Sequence, residues 1–251
     1  MYKRQVPYIQ LDLKWKRLLR FTYLHGTLDP TPLEDEVLYT SPSGKDRWVK
    51  SEKYIAAHRF DWNVLRNLGL GFSESVVYGE RGPELGYLIP FNSFWSENHH
   101  QSRDDNIAWG TDFQWRPVDN LRLFGEWFLD EASLKELTAN TIHNRTAYLA
   151  GLETLLGPVG LGGSEFSLEY VRIRPFVYTH WHLVGIYGHY GYSLGAMTPP
   201  NSEVIRAAFV LRQWPAWTIR AMVEHQRHGA SGDATAAVGG AITDVVPDRL
   251  G

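Results

Sequence analysis

Two stretches of the chain combine aromatic rings with dense hydrogen-bonding groups. The first runs from Phe94 to Asp105 and contains Trp95, Glu97, Asn98, His99, His100, Arg103 and Asp104; the second contains Tyr178, His180, Trp181, His189 and Tyr190. An aromatic ring covers the apolar C–H face of a pyranose while paired donors and acceptors read its hydroxyls, so this mixture suits a glycan. The same residues also fit ordinary polar loops with interfacial aromatics. His99 and His100 with Asp104 and Asp105, or His180 with His182, have no spacing specific for a metal, and a chain with no Cys lacks the commonest structural zinc ligand. No metal and no cofactor is expected.

Carboxylates such as Glu126 and Asp130, or Glu84 and Glu97, could act as general acid and base. On alternating strands, however, carboxylates and arginines more often neutralise each other in ladders. His58 shares an alternating face with Phe60 and Trp62, as a membrane-facing hydrolase would need, but no serine is placed beside it by spacing. Asn144-Arg145-Thr146 matches the glycosylation pattern only formally. The chain is therefore expected not to be an enzyme.

These residues must be carried by strands. Tyr, Trp and Phe make up 14% of the chain, and no apolar run reaches the roughly 18 residues of a membrane helix. Alternating strands escape that test, because only every second residue is apolar. In the clearest hairpin Ile107, Trp109, Thr111, Phe113 and Trp115 lie on one face, and Gly110, Asp112, Gln114 and Arg116 on the other. After a turn at 117–120, Leu121, Leu123, Trp127 and Leu129 oppose Arg122, Phe124, Glu126, Phe128 and Asp130. The design recurs at 205–224, and more weakly at 7–28, 54–78 and 146–174, for about ten strands. Phe60-Asp61-Trp62 with Asn67-Leu68-Gly69-Leu70 repeats at the same internal spacing as Phe113-Gln114-Trp115 with Asn120-Leu121-Arg122-Leu123. A propeller or soluble sandwich would also repeat, but aromatic residues beside short turns are the girdle of a membrane barrel.

The expected fold is all-β, an antiparallel transmembrane β-barrel of the bacterial outer membrane, partial and open, forming a single domain over 1–251. Trp109, Phe113, Leu121, Leu123, Ile205 and Phe209 should face lipid on a smooth belt, and Arg122, Glu126, Arg206 and Arg220 the interior. Turns near Arg17, Arg66, Asp119, Pro158 and Pro215 should be tight and periplasmic; 25–50, 79–105, 131–145 and 175–203 should be long extracellular loops. The first residues carry no signal-peptide pattern, and the last strand lacks an aromatic terminus, so truncation at the N-terminus, and at the C-terminus as well, is expected. A net charge of −3 without a basic stripe argues against nucleic acid.

The segments Ala57-His58-Arg59-Phe60-Asp61-Trp62, Gly71-Phe72-Ser73-Glu74-Ser75-Val76-Val77-Tyr78-Gly79, Tyr87-Leu88-Ile89-Pro90-Phe91-Asn92, Phe124-Gly125-Glu126-Trp127, Glu169-Tyr170-Val171-Arg172 and His189-Tyr190-Gly191-Tyr192-Ser193-Leu194-Gly195 occur in this order over about 50–229. Together they resemble the capsule-assembly Wzi family. The resemblance implies an outer-membrane barrel that acts as a surface lectin for capsular polysaccharide or lipopolysaccharide, with outer-membrane lipid around it. Two other functions stand beside it: a channel or transporter for small solutes, and an outer-membrane hydrolase. Loops folded into the lumen would favour the lectin; an open pore lined by Arg and Glu would favour transport.

Overall fold

The computed structural model describes residues 6–29, 37–40, 46–49, 52–101, 104–130, 144–157, 160–214, 217–229, 239–242 and 244. Strand accounts for 61% and helix for 8%, as an all-β fold requires. The strands are β1 (Tyr8–Trp15), β2 (Leu19–Leu28), β3 (Val37–Thr40), β4 (Asp46–Val49), β5 (Lys53–Leu65), β6 (Leu68–Gly79), β7 (Asn106–Val118), β8 (Leu121–Asp130), β9 (Thr146–Leu155), β10 (Glu165–Ile173), β11 (Gly188–His189), β12 (Tyr192–Ser193), β13 (Ser202–Trp214) and β14 (Trp217–His228). Ten of them form one antiparallel meander in the order β1-β2-β5-β6-β7-β8-β9-β10-β13-β14. The pairs β3–β4 and β11–β12 are small hairpins inside two of the long connections. Among the described residues β1 and β14 each pair on one side only, so the sheet is open, as expected.

Register fixes two faces, because a one-residue slip would exchange them. The partners Trp62, Leu70 and Phe113 align, then Phe113 with Gly125 and Ala150, and Tyr170 with Ile205, carrying one apolar face across the sheet. Arg122, Glu126, Arg206 and Arg220 occupy the other, the division that alternation predicts. Phe60, Trp62, Phe72, Phe113, Trp115, Leu168 and Ile205 are exposed on the apolar face. So large an uncovered apolar surface belongs in lipid rather than water, and the chain is placed in the bacterial outer membrane.

The turns follow the forecast with one exception. Arg66-Asn67 and Asp119-Asn120 connect their strands directly, but β9 and β10 are joined by a longer excursion in which Leu156 N–H donates to Ser164 O at 2.9 Å. Pro158 and Pro215 lie outside the described residues. Register shifts at Asn63/Leu65, Trp115/Val118 and Leu211/Trp214 put a bulge near the short-turn end of β5, β7 and β13. Pro117, which cannot donate to a ladder, sits within the second shift.

The belt is not smooth. Helices α1 (Leu85–Leu88) and α2 (Phe94–His100) lie over the loop-side part of the apolar face, where fully buried Tyr87 and Phe94 pack with Tyr23, Tyr54, Val76 and Tyr78. Glu74, on the apolar face of β6, makes this docking directional. It accepts from the backbone N–H groups of Phe94 at 3.1 Å and Trp95 at 2.8 Å, satisfying first-turn donors of α2 that have no intrahelical partner, and from Trp109 Nε1 at 3.2 Å. His58 Nε2 stands 3.0 Å from the same carboxylate.

Two glycines are filled from the next strand. A Cβ on Gly125 would fall 2.6 Å from Phe113 Cε1, its cross-strand partner, and a Cβ on Gly151 would meet the ring of its partner Phe124. An aromatic lying across a glycine pins register and covers exposed backbone. Gly125→Val should lower stability by about 1–3 kcal/mol through this clash. Adding Phe113→Ala should recover part of the loss. The midpoint of urea unfolding in detergent micelles, followed by Trp fluorescence, reads both.

Candidate functional site

The polar face is laced by arginine and carboxylate pairs across neighbouring strands. Arg59 bridges Asp61 at 2.7 Å and Asp112 at 2.6 Å; Arg20 pairs with Asp12 at 2.8 Å and Arg122 with Glu153 at 2.8 Å. Arg206 lies between Glu169 at 2.9 Å and Glu224 at 2.7 Å, and Arg212 pairs with Glu165. The Arg59 guanidinium lies over Gly71, whose missing side chain leaves it room. Most of these side chains are about one-third exposed, so water screens each pair and none alone contributes much to stability. Their collective effect is a water-accessible, charged but internally neutralised wall. The ladder expectation holds for these strands, and Glu126 stands within the wall without an ion-pair partner among the described residues.

Nearer the loop ends the wall is covered. The connection between β10 and β13 folds back onto the polar face, where Tyr178 joins a cluster with Ala147, Val171, Ile173 and Val204, packed by Phe128 and Tyr187. Four polar residues at neighbouring strand ends hold its backbone. Lys53 Nζ donates to Ile186 O at 2.8 Å, Asn106 Nδ2 to Gly185 O at 2.8 Å, and Arg145 Nη1 to Thr179 O at 3.2 Å; Asp130 Oδ2 accepts from Tyr178 N–H at 2.5 Å. Lys53, Asn106 and Asp130 are fully buried. Phe176 and Tyr178 have φ of 61° and 70°, a conformation costly for non-glycine residues that these contacts over-determine. Beneath the fold-back a space of about 470 Å³ remains, bordered by Ser73, Gly110, Glu126, Phe128, Tyr178 and Leu194.

The residues expected to bind a glycan are divided rather than gathered. Trp95, Glu97, Asn98, His99 and His100 belong to α2 on the apolar side, with the Trp95 and His99 rings 4.3 Å apart. Glu97 accepts from Asn92 Nδ2 at 3.3 Å and Asn98 Oδ1 from Asp105 N–H at 3.4 Å; Asp104 is exposed and Arg103 lies outside the described residues. Tyr178 and His180 are buried in the other loop, their polar atoms committed within it: Tyr178 OH accepts from Ala196 N–H at 3.1 Å and His180 Nδ1 from His182 N–H at 3.1 Å. Trp181 is half-exposed. His189 accepts from Asp29 N–H at 2.8 Å, and its ring lies tilted against that of Tyr190 on the β11–β12 hairpin. Among the described residues His58 Nδ1 has no hydrogen-bond partner, and no serine is paired with it there.

Sequence reasoning overlooked Lys53, Asn106 and Arg145, and read Asp130 as a ladder member. The available signal was position: each stands on the polar face where a strand meets a long connection.

Burial pushes the His180 imidazole down to about 4, and it raises the Tyr178 and Tyr187 hydroxyls.

No protein-family model matches the chain, and no curated protein matches it. Solved structures similar to it include Pseudomonas aeruginosa OccK11 (OpdR), at TM-score 0.43 and 10% identity over 87% of this chain and 55% of that one. Pseudomonas aeruginosa OpdQ gives 0.44 and 10% over 90% and 55%, and OccK3 (OpdO) from the same organism 0.34 and 11% over 89% and 65%. The chain thus spans little more than half the length of the first two. None of these is a capsule-assembly protein, so the Wzi resemblance and the polysaccharide-binding function that rested on it are corrected. Four of the six motifs fall on strands of the main sheet, where aromatic alternation is what any lipid-facing hairpin requires, and the other two fall in the long connections.

The docked loop keeps His180 neutral, whereas a released loop would take up a proton below the ordinary histidine value of about 6.5. The part of docking that depends on His180 is therefore fully present above about 6.5 and is lost as pH falls from there toward about 4. Limited proteolysis within 174–201 should be faster at pH 5 than at pH 7.5, and His180→Gln should flatten that dependence. Lys53→Met, which leaves Ile186 O buried without its donor at a cost of about 1–3 kcal/mol, should speed cleavage at both values.

Proposed function

We propose that the chain forms part of the wall of an outer-membrane channel that passes small solutes along its charged face, with the connection between β10 and β13 narrowing the path. One observation carries this reading: a partly exposed ladder of arginines and carboxylates runs along one face of a sheet whose other face is apolar. In lipid, water can reach such a wall only from an enclosed side. Paired charges of both signs keep that side wet without a large net field, so small polar solutes of either sign meet no high electrostatic barrier.

The fold-back and the ladder were posed as marks of different functions, yet they coexist here. The fold-back covers the loop ends of the strands, whereas Arg59, Arg122 and Arg206 remain partly exposed beyond it. A covering that leaves the ladder wet is what a constriction needs. Its backbone is held by buried strand-end residues, so it is built to stay in place rather than to sample the lumen.

Reconstituted in planar bilayers, the protein should show ohmic steps and small-solute flux in liposome swelling. Lys53→Met with Asp130→Asn should enlarge the step by loosening the constriction, and Arg59→Gln with Arg206→Gln should shift the reversal potential toward cation preference. Folded protein that inserts but admits no solute would contradict the proposal.

A further inference from the structure

The space beneath the fold-back of 174–201 has a chemistry of its own. Its floor is low because Ala57, Ser75 and Ala108 align across β5, β6 and β7, with Ser73 and Gly110 aligned beside them. Phe128 of β8 lines it together with Tyr178 and Tyr187 of the fold-back, the three ring centroids lying 5.3, 5.7 and 6.0 Å apart. Phe128 and Tyr187 keep part of their surface open, whereas Tyr178 is buried in the same cluster. The Tyr178 hydroxyl is engaged by Ala196 N–H and the Tyr187 hydroxyl by Ser75. What these residues offer a ligand is therefore their rings.

The charge of the lining is one-sided. Among the described residues that border the space, Glu126 is the single carboxylate, and there is no Lys, Arg or His. Register explains the imbalance. Asp61, Gly71, Asp112, Glu126 and Leu149 form one row across β5 to β9. Arg59 serves both Asp61 and Asp112, and beyond Glu126 the row continues with Leu149, so Glu126 has no cation of its own.

Glu126 precedes Phe128 by two positions on the same face, a separation of about 7 Å along the strand. A positive charge lying over that ring is within reach of the carboxylate, and both attract it, the ring through its quadrupole. Calcium or magnesium would need about six oxygen ligands; one carboxylate and the hydroxyls of Ser73 and Ser75 fall short of that. An alkylammonium needs no such shell. The volume, about 470 Å³, is within the roughly 300–1,000 Å³ of specific small-molecule sites.

We propose that this space binds one compact organic cation, an alkylammonium of about the size of choline, with its charged head between the Glu126 carboxylate and the rings of Phe128 and Tyr187. The inference rests on the reading of the charged face as a wet lumen, for which it names a solute class held on the way through.

Saturation-transfer NMR tests it on the protein folded in a maltoside detergent, which brings no ammonium group. Choline is titrated beside dimethylbutanol, its uncharged carbon isostere, at fixed ionic strength. Choline should bind roughly tenfold more tightly than the isostere, as expected for a desolvated cation–π contact assisted by a carboxylate. Glu126→Gln, at an exposed position, should remove most of that difference and leave the isostere unchanged. Phe128→Leu keeps apolar bulk without a ring and should weaken choline alone. Equal affinity for the two ligands, unaltered choline binding by Glu126→Gln, or displacement of choline by an equal concentration of sodium ion would overturn the proposal. Circular dichroism checks that each variant retains its β-structure, and Glu126→Gln decides the question where Phe128→Leu does not fold. Choline binding by a protein that passes no solute in planar bilayers would contradict the channel reading and leave this site standing; ohmic steps without choline binding would remove this site alone.

Discussion

Every feature of this molecule answers to the cost of leaving a backbone N–H or C=O unpaired in hydrocarbon, several kcal/mol for each group. An antiparallel meander meets that demand strand by strand, and the pairing that does so also dictates which side chains share a face. Once register is set, Trp62, Phe113 and Ile205 must look one way and Arg59, Glu126 and Arg206 the other. The charged wall and the apolar belt are thus two consequences of one hydrogen-bond ladder. Within the ten-stranded sheet, only β1 and β14 retain unpaired edges among the described residues.

The same economy governs the loops. A connection laid on the polar face brings its own backbone polar groups, and they are met by Lys53, Asn106, Asp130 and Arg145 at the ends of the strands it crosses. The segment laid on the apolar face is short of partners there, and Glu74 supplies them at the start of α2. In both cases a buried charge faces backbone groups of the incoming segment, which gives each docking a defined position that apolar contact alone would not.

Much of this was legible in the sequence because alternation is a local property. The hairpin around Asp119-Asn120, the faces of Phe113 and Arg122, and the ladder of Arg206 with Glu224 all follow from period two and short turns. What stayed hidden depends on contacts between distant segments. Nothing near Phe94 announces that it will bury itself against His58, 36 positions earlier, at a ring distance of 4.5 Å. Lys53 looks like any strand-end lysine until Ile186 lies above it. The aromatic and histidine clusters misled for a related reason: in sequence they are two mixed loops, but in space they are separated by the sheet, and polar atoms of Glu97, Asn98, Tyr178 and His180 are used in holding the loops. The family resemblance failed because most of its motifs are written in the vocabulary of lipid-facing strands in general.

The absence of cysteine makes the central division of faces directly measurable. Single cysteines placed at Gln114, Glu126 and Met222 on one face, and at Phe113, Ile205 and Val223 on the other, can be challenged in intact outer membranes with a water-soluble maleimide. The first set should label from the aqueous phase and the second only after the membrane is dissolved in detergent. Equal labelling of both sets, or labelling of the apolar set alone, would contradict the account.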